Sequence, residues 1–105
     1  MDFQSNLKPI IDVVKNIIPL REAYLFGSYA YGEPNKDSDY DLYFVTDSIE
    51  GSKYDAIVSI RRALRGIPQK PIDVLLNTKE RFDYRKGNKA TLEYKINKEG
   101  IKLYG

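Results

Sequence analysis

The chain contains no cysteine and no histidine. Without cysteine, disulfide scaffolds and thiolate metal centres are excluded. Without histidine, Ser-His-Asp triads, imidazole zinc ligands and histidine general bases are excluded as well. Any bound metal must be held by oxygen, which favours hard cations such as Mg²⁺ or Mn²⁺. Any proton must be moved by a carboxylate, Lys, Tyr or water. Long hydrophobic runs are also missing. No stretch approaches the ~20 apolar residues that span a bilayer. Residues 1–8 lack the basic region and apolar core of a secretory leader. A cytoplasmic location without a membrane partner is therefore expected.

The 105 residues, 42% hydrophobic and 30% charged, describe one folded domain over residues 1–105 rather than a disordered chain. Seventeen basic against fifteen acidic residues leave a net charge of only +2, but the two signs are segregated. Acids crowd the segment from Glu33 to Glu50, and basic residues dominate from Arg61 onward. Such asymmetry fits an acidic cation site beside a positive surface for phosphates or an acidic partner; an ordinary solvated surface gives the same pattern.

Leu7, Ile10, Ile11, Val14, Ile17 and Ile18 follow helical spacing, with Ser5 or Asn6 as cap, Pro9 in the first turn and Pro19 as terminator. Arg21 to Phe26 reads as a strand that stops at Gly27-Ser28, with one helical turn over Tyr29 to Tyr31. Gly32-Glu33-Pro34-Asn35 is turn chemistry. Asp39 to Thr46 is a second strand, and a loop over Ser48 to Lys53 leads to a helix from Tyr54 to Leu64 that ends near Gly66 and Pro68. Pro71 to Leu76 is a third strand. Asn77-Thr78-Lys79-Glu80 resembles a capping box opening a helix that ends near Gly87. A helix over Thr91 to Lys98, closed by Gly100, and a short strand over Ile101 to Tyr104 complete the pattern. The fold expected is α/β (α+β): a small mixed sheet with helices packed mainly on one face.

Chemistry concentrates at three places. Asp39 and Asp41 are two apart on a strand, so their carboxylates leave the same face and repel unless a cation or a proton intervenes. Asp73 is a single charge within Ile72-Asp73-Val74-Leu75-Leu76, costly if buried alone but sensible as the third carboxylate of a metal site; a strand-edge or arginine-paired carboxylate is the alternative. Gly27-Ser28 ends a strand with free backbone N–H groups and a hydroxyl, suited to phosphate, although a plain turn reads the same way. Together these parts suit in-line attack on a nucleoside triphosphate, with metals polarising the attacked phosphate and the leaving pyrophosphate. Lys36, Lys53 and Lys70 are candidate phosphate contacts or simply exposed lysines. Ser38 could orient the second strand or only make a turn, and Asp37 reads as a turn residue. Of nine tyrosines, Tyr24, Tyr29, Tyr31, Tyr40 and Tyr43 surround the motif, to stack on a base or to pack the rim. No nucleic-acid-binding module is visible, so nucleic acid is not the expected partner.

Residues 25–45, LFGSYAYGEPNKDSDYDLYFV, resemble the signature of the DNA polymerase β-like nucleotidyltransferases, and more narrowly the minimal nucleotidyltransferases of the MNT antitoxin group. The leading amphipathic helix, Asp73 and the ending TLEYKINKEGIKLYG extend the resemblance over nearly the whole chain. It implies a polymerase β-like fold and an Mg²⁺-dependent nucleotidyltransferase with ATP as substrate. Gly27 and Ser28 would hold the triphosphate, Asp39 and Asp41 would bind two Mg²⁺ ions, and Asp73 would be the third carboxylate, helping to activate the acceptor hydroxyl. The chain departs from the pattern at Tyr31, where the group often carries arginine. The resemblance also implies the acceptor: a HEPN-type toxin, neutralised by transfer of AMP to a tyrosine. A chain of this size leaves the acceptor-gripping surface to the partner. The alternatives are a non-catalytic module that neutralises by contact, and a small-molecule (antibiotic) nucleotidyltransferase whose acceptor pocket is completed by homo-oligomerisation.

Overall fold

The computed structural model describes residues 3–33, 39–67 and 70–105. Pro34, Asn35, Lys36, Asp37 and Ser38, and Pro68 at the expected helix end, lie outside the described residues. The elements run α1 (Phe3–Lys15), β1 (Leu20–Phe26), α2 (Ser28–Tyr31), β2 (Tyr40–Thr46), α3 (Lys53–Ala63), β3 (Ile72–Thr78), α4 (Lys79–Lys86), α5 (Leu92–Glu99) and β4 (Ile101–Tyr104). Every expected element is present, with shifted ends. Helix α1 already includes Ser5 and Asn6, so neither caps it; Pro9 lies inside it, and the chain leaves the helix at Lys15, ahead of Pro19. Ser52 caps α3 by accepting from the Asp55 N–H, which brings Lys53 into the helix. Strand β3 runs on to Thr78, whose hydroxyl accepts from the Arg81 N–H and opens α4 as a simple cap.

The four strands lie in the order β3-β2-β1-β4. β2 is antiparallel to β1 and parallel to β3, and β4 is antiparallel to β1, so the sheet is mixed and β3 and β4 are its edges. β2 is central and buried on both sides. Tyr40, Leu42 and Phe44 enter a larger core with Leu7, Ile10 and Val14 of α1 and Ile60 of α3. Tyr43 and Val45 enter a smaller core with Tyr24 of β1, Phe82 of α4 and Ile96 of α5. Tyr40 and Tyr43 thus point to opposite faces, as strand alternation requires.

The longer helices α1 and α3 cover one face over the larger core, and the short helices α4 and α5 cover part of the other. The physical reason lies in β2, where Tyr-x-Leu-Tyr-Phe-Val is apolar without alternation, the pattern of a strand covered on both sides. Phe82 closes the second core. Its ring stacks on Tyr24 with centroids 5.4 Å apart and meets Tyr43 edge-on at the same distance. No helix of the described residues is long and apolar enough to cross a membrane.

Candidate active site

The site forms where β1 ends and β2 and β3 begin. Gly27 leaves β1 with φ 73° and ψ −150°, a backbone conformation open essentially to glycine alone. Its carbonyl accepts from the Ala30 and Tyr31 N–H groups at 3.0 Å each, which starts α2. A Cβ on Gly27 would stand 2.0 Å from Asp41 Oδ2. The Gly27 backbone and the Asp41 carboxylate are therefore in direct contact, and glycine is demanded twice, by torsion and by space. Ser28 follows, half-buried, and its hydroxyl makes no hydrogen bond among the described residues.

Asp41 and Asp73 are brought together by the parallel pairing of β2 and β3, whose register sets them side by side. Asp41 is half-buried, with the Asp73 carboxylate within hydrogen-bonding reach. Burial first, then Asp73, then the charge of Asp39 push the Asp41 carboxyl above its ordinary value. Burial and neighbouring negative charge both disfavour the ionised form, and a divalent cation would relieve the second. Asp73 itself is exposed, because β3 is an edge strand; Leu75 on the same face is 38% exposed. The carboxylate suspected of costly burial is thus at the rim of the site, open to an incoming group.

Asp39 stands one residue before β2 and is exposed. It reaches Asp41 through its charge, but among the described residues no three acidic groups converge closely enough to hold an ion. Two of the three expected carboxylates are paired by register, and the third flanks them. Of the candidate lysines, Lys53 is an exposed residue of α3, and Lys70 is half-buried with its ammonium 5.8 Å from the centre of the Tyr29 ring. Lys36 and the residues Asp37 and Ser38 lie outside the described residues. Tyr29 packs on Tyr40 with centroids 4.7 Å apart, so the packing reading holds for this pair.

Residues the sequence did not flag also meet at the site. Lys95 of α5 places its ammonium 4.6 Å from the centre of the Tyr31 ring. Glu93 of α5 is buried, accepts from the Tyr43 hydroxyl at 2.7 Å and from Arg85 Nε at 2.9 Å, and so ties α5 to the strand that carries Asp41. An isolated Glu or Lys on a short polar helix carries no sequence signal for either role. The largest hollow described, about 440 Å³ between α1 and β4, is lined by none of the candidate site residues.

Residues 7–98 match the family model of the nucleotidyltransferase domain. The chain belongs to this family. A solved structure of a protein from Sulfolobus solfataricus, described as a nucleotidyltransferase, is 30% identical, with a TM-score of 0.62 over 77% of this chain and 71% of that one. A mutant MntA toxin–antitoxin structure is 19% identical, with a TM-score of 0.62 over 92% of this chain and 70% of the other. A toxin–antitoxin structure with AMP-PNP is 20% identical, with a TM-score of 0.59 over 97% and 73%. At these last two identities the likeness is one of fold. No curated protein matches the chain. The resemblance to the minimal nucleotidyltransferases is borne out, as is the small mixed α/β fold. In this nucleotidyltransferase the glycine turn sets a backbone surface free of side chain against a carboxylate pair held by two strands.

Proposed function

We propose that this nucleotidyltransferase moves AMP from ATP to a hydroxyl of a protein acceptor, a HEPN-type toxin, and acts as its antitoxin. The observation that carries the reaction is the Asp41–Asp73 pair closed against the Gly27 backbone. In this reading Asp39, Asp41 and Asp73 hold two Mg²⁺ ions, and Gly27 and Ser28 hold the triphosphate. The donor set fits in kind, since all ligands are oxygen and register already pairs Asp41 with Asp73, while Asp39 would have to close on that pair to complete it. The ions, when bound, polarise the attacked phosphate and offset charge on the leaving group.

The chain's own residues position and accept. Gly27 lets the triphosphate approach the backbone. Asp73, exposed at the sheet edge, takes the proton of the acceptor hydroxyl. The acceptor oxygen bonds to the α-phosphorus as the bond between the α-phosphorus and the bridging oxygen breaks, and pyrophosphate leaves with that electron pair. The exposure of Asp73 on an edge strand suits an acceptor carried on another protein. Support for a toxin partner comes from the fold likeness to toxin–antitoxin proteins, one of them with AMP-PNP. A single domain over residues 1–105 is part of the same reading.

The test mixes the chain with labelled ATP, Mg²⁺ and the protein encoded beside it, and weighs the partner. A mass gain of one AMP that disappears with Asp41→Asn is expected. A partner silenced without any mass gain, and silenced equally by Asp41→Asn, would replace this reading with neutralisation by contact.

A further inference from the structure

Tyr31 and Lys95 form a unit at the wall of the glycine turn. The Tyr31 N–H donates to the Gly27 carbonyl at 3.0 Å, which fixes the residue one turn from Gly27. Its hydroxyl oxygen is buried and has no hydrogen-bond partner. A tyrosine hydroxyl is protonated at neutral pH, so it has a proton to donate and no acceptor. A buried donor without a partner is costly and points to a group that arrives later.

The Lys95 ammonium stands over the same ring, 4.6 Å from its centre, and makes no ion pair among the described residues. Its stem is exposed, but its base is fixed. Thr91 caps α5 by accepting from the Tyr94 N–H. Ile96 is buried in the second core, and Glu93 is bonded to Tyr43 and Arg85. An attraction to a ring face holds a lysine weakly, and a phosphate oxygen offers a stronger, charge-assisted bond. Two divalent ions would offset the charges of Asp39, Asp41 and Asp73 but leave most of the triphosphate's own negative charge for the chain to meet.

We propose that Lys95 and the Tyr31 hydroxyl form the polyphosphate-recognition element of this site, contacting the phosphates that leave as pyrophosphate. This rests on the nucleotidyl-transfer reading and names what selects a triphosphate over a monophosphate. Lys95 leaves the Tyr31 ring for a phosphate oxygen, and the ring then turns its buried hydroxyl outward to donate to a second one. Neither residue touches the acceptor.

The test measures Mg²⁺-ATP and AMP affinity, the latter by competition, in the wild-type protein and in Lys95→Met, Lys95→Arg, Tyr31→Phe and Asp41→Asn. Lys95→Met should weaken ATP binding by about tenfold to a hundredfold while AMP affinity holds, so that the preference for ATP collapses. Lys95→Arg should restore most of it, and Tyr31→Phe should lose a smaller share. Thermal unfolding of each variant checks the fold. An unchanged ATP-over-AMP preference in Lys95→Met would overturn the proposal and leave the transfer reading intact. A wild-type protein that fails to bind ATP, or binds it equally well as Asp41→Asn with no dependence on Mg²⁺, would overturn both.

Discussion

Gly27→Ala is the sharpest single test of how the site is built. The added methyl group meets two obstacles. The backbone at φ 73° and ψ −150° resists any Cβ, at a cost of about 1–3 kcal/mol. The Cβ would also lie 2.0 Å from Asp41 Oδ2, so the carboxylate must rotate off its rotamer, adding roughly 0.5–1.5 kcal/mol. The sum, about 1.5–4.5 kcal/mol, lowers Tm by about 6 °C or more for a domain of this size. Gly51→Ala is the control, because Gly51 also has positive φ, 74°, but meets nothing within 4 Å. It should show backbone strain alone. Urea unfolding of Gly27→Ala, Asp41→Ala and the double variant then isolates the contact, with a coupling of about 1 kcal/mol expected. Transfer should fall by about a hundredfold, because the displaced carboxylate is the one paired with Asp73. Zero coupling with activity retained would show that Gly27 does not set the position of Asp41, and the account of the site would fail.

Asp41→Asn should leave the ion-free protein at least as stable as wild type at neutral pH, since it removes repulsion from Asp73 and Asp39; Mg²⁺ should raise Tm in the wild type only, as a calorimetric scan would show. Glu93 titrates in the other direction. Burial raises its pKa, but the Tyr43 hydroxyl and Arg85 outweigh that and hold it below 4.5. Its contribution is therefore present above 4.5 and lost as pH falls through the lower folded value. Glu93→Gln should flatten the acid limb of a stability-against-pH curve, and an unchanged limb would remove Glu93 from the account. Phe82→Ala empties the second core between Tyr24 and Tyr43 and should cost about 3–5 kcal/mol in urea unfolding; a loss below 1 kcal/mol would mean that α4 is not held by this ring.

Much of the fold was legible because local signals agreed with one another. The spacing of Leu7, Ile10, Ile11 and Val14 marked α1, and the apolar runs marked β1, β2 and β3. The ends were less legible. Ser5 resembles a cap by type, yet the helix begins at Phe3, since capping chemistry recurs inside helices and only tertiary packing selects the true end. The capping box over Asn77 to Glu80 marked the start of α4, but neither the cap at Thr78 nor its place as the last residue of β3 was legible, because Thr78 serves both elements at once. Asp41 was legible from its spacing to Asp39, whereas its pairing with Asp73 depends on strand order and register, which no local pattern encodes. The placement of the Lys95 ammonium over the Tyr31 ring lies beyond any motif, since it joins residues of α2 and α5 that are far apart in sequence.

The site's parts are tied to one rigid body by two independent devices. Register locks Asp41 to Asp73 through the sheet. The Glu93 network locks α5 to Tyr43, two residues along the same strand from Asp41. A shift of β2 would therefore carry the carboxylate pair and the α5 lysine together rather than apart. Tyr43→Phe leaves Glu93 buried with only Arg85 and should cost about 1–3 kcal/mol in stability. If α5 is held to β2 by this bond, the same change should also weaken ATP binding more than AMP binding, although Tyr43 is buried beneath the site. Stability lost with the ATP preference unchanged would mean that the packing of Ile96 alone suffices to place α5, and the second tie would be dropped from the argument.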